Sequence, residues 1–327
     1  MSLTVSVALC THNGAEFVAE QVLSIVRQSD PPAELVVSDD ASSDGTVEII
    51  RRIFVENHVT KTRLVVMENS EPLGVASNFE QAIVACSGDL IALSDQDDVW
   101  QPDRLRIAVS RFEASADLLL LNSDARLVDE SGEPLGRTLF EALELTCGEL
   151  SALTSARGFE ALLRRNLITG ATTMIHRNLV MRAAPFPIPW LHDEWMAIIA
   201  SATGMTDLVV RELIDYRQHG RNQIGVQKLT PVQKLRRLVE PRGDRPEYLE
   251  ERAYVLAERL RLLDELVPTS RLRQADEKLA HHRVRAGLPK ARWLRVAPVL
   301  RELATGRYKL YARGFADALR DVLQPAE

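Results

Sequence analysis

Four short apolar runs recur in the first hundred residues: "LTVSVAL" (3–9), "ELVVSDD" (34–40), "RLVVME" (63–68) and "DLIAL" (89–93). Between them lie stretches with a different period. In "AEFVAEQVLSIVRQ" (15–28), Phe17, Val18, Val22, Ile25 and Val26 share one helical face, and "GTVEIIRRIFVEN" and "VASNFEQAIVAC" read the same way. Four strands alternating with helices predict an α/β fold with a largely parallel sheet covered on both faces. Ligands of such sheets sit beyond the C-terminal strand ends. Here all four ends are polar: "CTHNGAE", "SDDASSDGT", "NSEPLGVASN" and "SDQDD".

Beyond residue 117 the pattern is less regular. "DLLLLNSDARLVD" reads as one or two strands, "ELSALTSARGFEALLRRN" as a helix and "TGATTMIHRNLVMRA" as a strand followed by a turn. "PIPWLHDEWMAIIASATG" leads into a helix, and "TDLVVRELIDYRQHG" reads as two short strands. From 228 the chain turns Arg/Leu/Glu-rich and helical. In 245–267, Tyr248, Leu249, Tyr254, Leu256, Leu260 and Leu263 are expected near one another, and "GRYKLYARGFADALRDVL" gives a second amphipathic stretch. His281 and His282, without Cys or Asp partners at ligand spacing, read as helix surface.

Charge divides the chain in the same place. Residues 228–327 carry 22 Lys plus Arg against 14 Asp plus Glu, whereas 1–227 carry 18 against 32. A basic tail suits an anionic partner surface; helix faces laced with ion pairs are the plainer explanation. Cys10, Cys86 and Cys147 are odd in number, widely spaced and form no CxxC, which argues against a disulfide framework or a zinc site and for a reducing cytoplasm. The opening residues read as a first strand and not as a signal peptide, and no run reaches the roughly 18 to 20 apolar residues of a membrane span.

The stretch "LSDQDDVWQPDRL" (93–105) crowds Asp95, Asp97 and Asp98 at a strand end. Carboxylates that close raise one another's pKa unless a cation or donor sits among them. With "CTHNGAEFVAEQVLSI", "VVSDDASSDGT", "LGVASNF", "TGATTMIHRNL", "HDEWMAIIA" and "YRQHGRNQIG" in order, the chain resembles the family 2 inverting glycosyltransferases of GT-A fold. Within them it is most similar to the bacterial rhamnosyltransferase-like branch of cell-surface polysaccharide assembly. The resemblance spans residues 3–227 and implies a catalytic domain over 1–227, with a helical extension over 228–327.

That resemblance implies a site. Asp97 would ligate Mg²⁺ or Mn²⁺, hard cations suited to oxygen ligands, and Asp95 would contact the ribose or share the metal's shell. Asp98 would cap the turn or orient Asp97. Asp40 would accept the N3–H of uracil or thymine, which cytosine lacks; Thr11, Asn13 and Glu16 would touch the nucleoside. Asp39 supports its loop, and turn chemistry accounts for Asp44 and Gly45. Asp193 of "HDEW" would be the base that deprotonates the acceptor hydroxyl, with Glu194 its rival and His192 in place of the usual Glu; an N-cap is the structural alternative for Asp193. His219 would lie near the diphosphate or metal, flanked by Arg217 and Arg221. Trp100 and Gly170 are placed on the acceptor or diphosphate side.

The expected reaction is metal-dependent transfer, with inversion, of rhamnose from dTDP-rhamnose to a glycan or polyprenyl-linked acceptor. A UDP-hexose or UDP-N-acetylhexosamine donor on the same fold, and a non-catalytic sugar-nucleotide-binding scaffold, are the alternatives. For the tail, a peripheral contact with the anionic inner face of the membrane is favoured over a homodimer through the Leu-rich face of 247–266, with no nucleic-acid partner. Trp293 in "KARWLRVAPVL" suits a water–lipid boundary.

Overall fold

Val5–Thr11 (β1) is buried at every residue, and so are Glu34–Asp39 (β2) and Leu90–Ser94 (β4). Strands covered on both faces need continuous apolar runs rather than alternation, as these runs provide. The structure, a computed structural model, describes residues 3–220 and 240–325. Arg63–Glu68 (β3) lies at the sheet edge and is only partly buried. Between these strands run Val18–Val26 (α1), Thr46–Glu56 (α2) and Val75–Ala85 (α3).

The remaining strands are Val99–Trp100 (β5), Leu118–Val128 (β6), Pro134–Thr138 (β7), Thr173–His176 (β8) and Met205–Arg217 (β9). The sheet order is β3-β2-β1-β4-β8-β6-β9-β5, with β7 beside β6. The first four strands are mutually parallel, β8 is antiparallel to β4 and β6, and β6 runs parallel to β9. The architecture is therefore an α/β mixed sheet flanked by helices, with a helical C-terminal region. Because β1 pairs with β2 on one side and β4 on the other, the chain reverses its winding at β1, the position beyond whose strand ends sheets of this kind bind their ligands.

The helices of the middle segment are Arg104–Ala114 (α4), Leu139–Ala142 (α5), Cys147–Leu153 (α6), Gly158–Arg164 (α7), Arg177–Ala183 (α8) and His192–Thr203 (α9). Capping boxes start α5 (Thr138 with Glu141) and α6 (Thr146 with Glu149), each satisfying otherwise unpaired N–H groups. Three expectations change here. The helix expected over 149–166 is two, α6 and α7; the segment after β8 is a helix, not a turn; and 205–217 form one long strand whose register slips against β6.

Two compact units divide the chain, one holding Met1–Ser155, Ile168–Ala200 and Gly204–Val226, the other Ala156–Leu167, Ser201–Thr203 and Gln227–Glu327. The second contains α7 and five further described helices: Arg245–Leu262 (α10), Thr269–Ala286 (α11), Arg292–Ala304 (α12), Arg307–Tyr311 (α13) and Phe315–Leu323 (α14). Ala253, Leu256, Ala257 and Leu260 are the buried residues of α10, while Tyr248 and Tyr254, expected beside them, are exposed. None of the helices among the described residues is long and apolar enough to cross a membrane.

His281 and His282, expected on a surface, are 0% and 3% exposed. His281 Nδ1 lies 2.8 Å from Glu302 Oε1 and its ring meets Tyr308 edge-on, with centroids 4.7 Å apart. Burial, reinforced by Arg285, Lys278 and Arg307, pushes the His281 imidazole down to about 3, so the neutral ring donates from Nδ1 to Glu302. Burial also holds His282 well below its ordinary range. An unfolded chain protonates these rings below about pH 6.5 and the folded one does not, so stability present above that pH is lost as pH falls toward 3. The slope is at most about 1.4 kcal/mol per pH unit for each histidine. The urea midpoint is expected to drop between pH 7.5 and pH 5.5, and His281→Asn to flatten that dependence; a midpoint flat across this range would refute the neutral rings.

Candidate active site

The loops that follow β1, β2 and β4 hold one another by hydrogen bonds. After β1, His12 N–H donates to Gln96 Oε1 at 2.8 Å and Gln96 Nε2 returns a bond to the His12 carbonyl at 3.1 Å, joining the loops that follow β1 and β4. Asn13 takes a positive φ of 48°, a conformation asparagine tolerates, and its Oδ1 accepts from Ser43 N at 2.9 Å. Thr11 Oγ1 donates to Asp39 Oδ2 at 2.6 Å, so its hydroxyl braces the neighbouring loop. Asp39 also accepts from Ser42 N and Oγ, and Asp44 accepts from Ala15 N and Thr46 N. Glu16 is exposed at the start of the α1 approach.

Asp40 closes β2 with a carboxylate only 6% exposed. Its oxygens accept from the backbone N–H groups of Leu73, at 2.6 Å, and Gly74, at 3.0 Å. A carboxylate offers about four acceptor positions, so these bonds anchor Asp40 and leave capacity for another donor.

The turn after β4 carries the three carboxylates. β5 then pairs antiparallel with β9 (Val99 opposite Asp215, Trp100 opposite Ile214), which folds the turn back toward the end of β9. The result sets His219 Nε2 2.8 Å from Asp97 Oδ2. The His219 ring stacks on Phe17 at a centroid distance of 5.0 Å, fixing its plane. Asp98 is 1% exposed; its Oδ1 accepts from Arg217 N at 3.1 Å and its Oδ2 has no hydrogen-bond partner among the described residues. Burial, then the charges of Asp97 and Asp95, raises the Asp98 carboxyl well above its ordinary range. Burial, with Asp97 and Asp193 nearby, pushes Asp95 up to about 7. Opposing them is the Arg104 guanidinium, itself lowered to about 9 by burial.

Arg104 was not a sequence candidate. It lies 3.6 Å over the Trp100 ring and donates to the Ala171 carbonyl at 2.9 Å, so the cation below the acidic turn comes from the first residue of α4. Tyr216 was also missed: it is 7% exposed, and burial, then the charges of Asp95, Asp98, Asp97 and Asp193, raise its phenol well above its ordinary range. Trp100 departs from its expected place. It is 3% exposed within the hydrophobic core, and its Nε1–H reaches Gln21 at 3.0 Å when that amide is turned to satisfy both ends.

Arg217 departs too. Its Nε donates to the Asp97 carbonyl (2.8 Å), one terminal nitrogen to the Glu130 carbonyl (2.7 Å) and the other to Glu20 Oε2 (2.6 Å). A guanidinium so engaged, its side chain 5% exposed, braces the acidic turn and is not displayed to a diphosphate. Arg221 lies outside the described residues.

Asp193 stands in the first turn of α9, half-buried, but Leu191 is the N-cap, so the capping role weighed from sequence is not the one observed. Its Oδ2 accepts from Gly170 N at 3.1 Å and its Oδ1 from Glu194 N at 2.7 Å. Gly170 is needed there: a Cβ would come within 2.7 Å of His192 Nε2. His192 cannot yield easily, being 6% exposed and stacked on Phe79 with centroids 3.9 Å apart, and burial pushes it down to about 3. Glu194, half-buried, follows on the same turn.

Among the described residues, no three Asp, Glu, His or Cys side chains converge as a self-sufficient metal cage. Asp97 and His219 offer two ligand atoms side by side, an arrangement that fits a cation sharing its shell with a substrate's oxygens rather than one enclosed by protein.

The sequence profile described as glycosyl transferase family 2 matches residues 6–186, more than half of the chain. The chain belongs to that family. This family 2 glycosyltransferase is 26% identical over 174 residues to the putative teichuronic acid biosynthesis glycosyltransferase TuaG of Bacillus subtilis, covering 53% of this chain and 62% of that one. It is 31% identical over 104 residues to the dTDP-rhamnosyl transferase RfbG of Shigella flexneri, covering 31% and 35%. It thus spans less than two thirds of the length of these curated relatives. Among solved structures it is similar to S. aureus TarS 1–349 in complex with UDP-GlcNAc (TM-score 0.58, 17% identity, 97% of this chain and 84% of that one). It is also similar to the mannosyltransferase PcManGT of Pyrobaculum calidifontis in complex with GDP-Man and Mn²⁺ (TM-score 0.54, 19% identity, 98% and 79%). These two likenesses establish the GT-A-like fold. The profile match ends before Asp193 and His219, whose roles are argued from geometry.

Proposed function

We propose that this glycosyltransferase moves a sugar, with inversion, from a pyrimidine nucleoside diphosphate donor to a glycan or polyprenyl-linked acceptor in cell-surface polysaccharide synthesis, with rhamnose from dTDP-rhamnose as the first donor to test. The observation that carries this reading is the Asp97–His219 contact, with the charges of Asp97 and Asp193 both acting on Asp95. Catalysis is assigned to residues 1–227 and to a cytoplasmic setting. The likeness to TuaG, a putative teichuronic acid biosynthesis glycosyltransferase, supports the pathway class, and that to RfbG, a dTDP-rhamnosyl transferase, supports the rhamnosyl donor. UDP-N-acetylglucosamine is the second donor, favoured by the ligand named for TarS.

The roles follow from chemistry. Asp40, anchored by two backbone N–H groups, has acceptor capacity for the N3–H of uracil or thymine. Asp97 and His219 would hold Mg²⁺ or Mn²⁺, which when bound would neutralise charge gathering on the departing diphosphate. Asp193 accepts the acceptor hydroxyl's proton as the oxygen attacks the anomeric carbon from the face opposite the leaving group. Gly170 N–H and Glu194 N–H fix the carboxylate's rotamer for that transfer. The rim of the site and the residues that meet the acceptor sugar are left to Glu194 and to the Gly170 turn.

Calorimetric titration with dTDP-rhamnose, UDP-N-acetylglucosamine and GDP-mannose, with and without Mn²⁺, tests the reading. Metal-dependent binding of a thymidine or uridine donor, at least about tenfold tighter than GDP-mannose, is expected, since a missing complementary hydrogen bond in a desolvated site costs about 1–3 kcal/mol. Equal affinity for all three, or for none, would remove the pyrimidine assignment.

A further inference from the structure

Helix α12 is built inside out. Its buried residues include Arg295, at 0% exposure, and Glu302, at 5%, alongside Val299. The opposite face, at helical spacing i, i+4, i+7 and i+11, carries Trp293, Ala297, Leu300 and Ala304, all exposed, with Trp293 at 76% and Leu300 at 59%. The inward charges are satisfied: Arg295 donates to the carbonyls of Pro289, Lys290, Asp321 and Gln324, and Glu302 meets His281. Isolated exposed apolar residues are ordinary. A whole helix face that is apolar, over a buried face that is charged, is not what water as the only neighbour selects.

Charge in the same segment indicates the neighbour. From 288 to 325 the carboxylates are Glu302, Asp317 and Asp321, and all three are buried. The exposed charges are Lys290, Arg292, Arg301, Lys309 and Arg313, every one positive. The following helices also expose Leu310 (50%) and Phe315 (71%). We propose that the α12 face of this unit seats on an anionic lipid surface, Trp293 and Leu300 entering the headgroup boundary and the basic residues meeting lipid phosphates. A protein partner would need a single-signed acidic face to match; an anionic bilayer offers negative charge and an apolar layer together. The inference is independent of the donor and of the catalytic residues.

Trp100, Trp190 and Trp195 are 3%, 6% and 0% exposed, so Trp293 is the tryptophan whose emission an added surface would change. The full chain is mixed with vesicles of phosphatidylglycerol and phosphatidylcholine, or of phosphatidylcholine alone, and followed by co-sedimentation and tryptophan emission. Binding to the anionic vesicles with a blue shift, weakened at high salt, is expected. Leu300→Glu should weaken it at least about tenfold, the loss from one buried leucine. Arg292→Glu with Arg301→Glu should weaken it about fivefold or more per residue. All these side chains are exposed, so thermal midpoints should stay put; a Leu300→Glu chain that does not fold passes the decision to the arginine pair. Absence of binding, binding without a blue shift, or binding untouched by both variants would overturn the proposal. So would a lipid-independent dimer that Leu300→Glu dissolves, which would give the face to a second copy.

Discussion

Asp193→Asn is expected to lower kcat by about 10²–10⁴-fold, the contribution of a positioned general base, while donor affinity changes less than about threefold. Asparagine keeps the size and loses the capacity to take a proton. It also turns one acceptor into a donor, so one of the two bonds from Gly170 N and Glu194 N is forfeited, costing about 1 kcal/mol of stability. That side effect has its own readout. If Asp193 only stiffened the start of α9, activity would fall in step with the unfolding midpoint and return on cooling. A base, by contrast, leaves a folded, donor-binding protein that does not turn over. Glu194→Gln supplies the comparison: with Asp193 as the base it retains most activity, and a collapse there with Asp193→Asn active would move the role one residue along.

The first half of the fold was legible because buried parallel strands and amphipathic helices write themselves as periodicity. The acidic turn was legible as an anomaly, since Asp95, Asp97 and Asp98 fall within four consecutive positions. What holds that turn was not. Nothing in the local sequence singled out Arg104, and only the fold packs its guanidinium over the Trp100 ring, where its charge opposes those of Asp95 and Asp98. Arg217 carried the charge expected of a phosphate ligand, but its fork is consumed by two carbonyls and Glu20, a contact between residues nearly two hundred positions apart. Trp100, placed by the resemblance on the acceptor or diphosphate side, is core. His281 and His282 were misread for a related reason: a helix whose polar residues face inward inverts the period on which surface assignments rest. Local pattern locates the elements; long-range pairing decides which charges are structural.

Asp97→Ala is expected to abolish the stimulation of donor binding and transfer by Mn²⁺ or Mg²⁺ and to lower kcat/KM by about 10³-fold or more, the several kcal/mol that a cation contributes to a departing diphosphate. The substitution is clean for a structural reason. Arg217 grips the Asp97 carbonyl and Glu130, not the Asp97 side chain, and Asp98 stays bonded to Arg217 N, so the turn keeps its course when the carboxylate is removed. His219 keeps its stack on Phe17 and loses only its 2.8 Å partner. His219→Ala should therefore do less, because the anionic ligand stays when the neutral one is removed: metal affinity falls, and excess Mn²⁺ should restore part of its activity but none in Asp97→Ala. The two variants separate the readings. If Asp97 were only the hydrogen-bond partner that orients His219, both would fall together and neither would answer to metal. Full activity of the unaltered chain in a chelator, with both variants unimpaired, would leave the acidic turn a structural feature held together by Arg104 and Arg217.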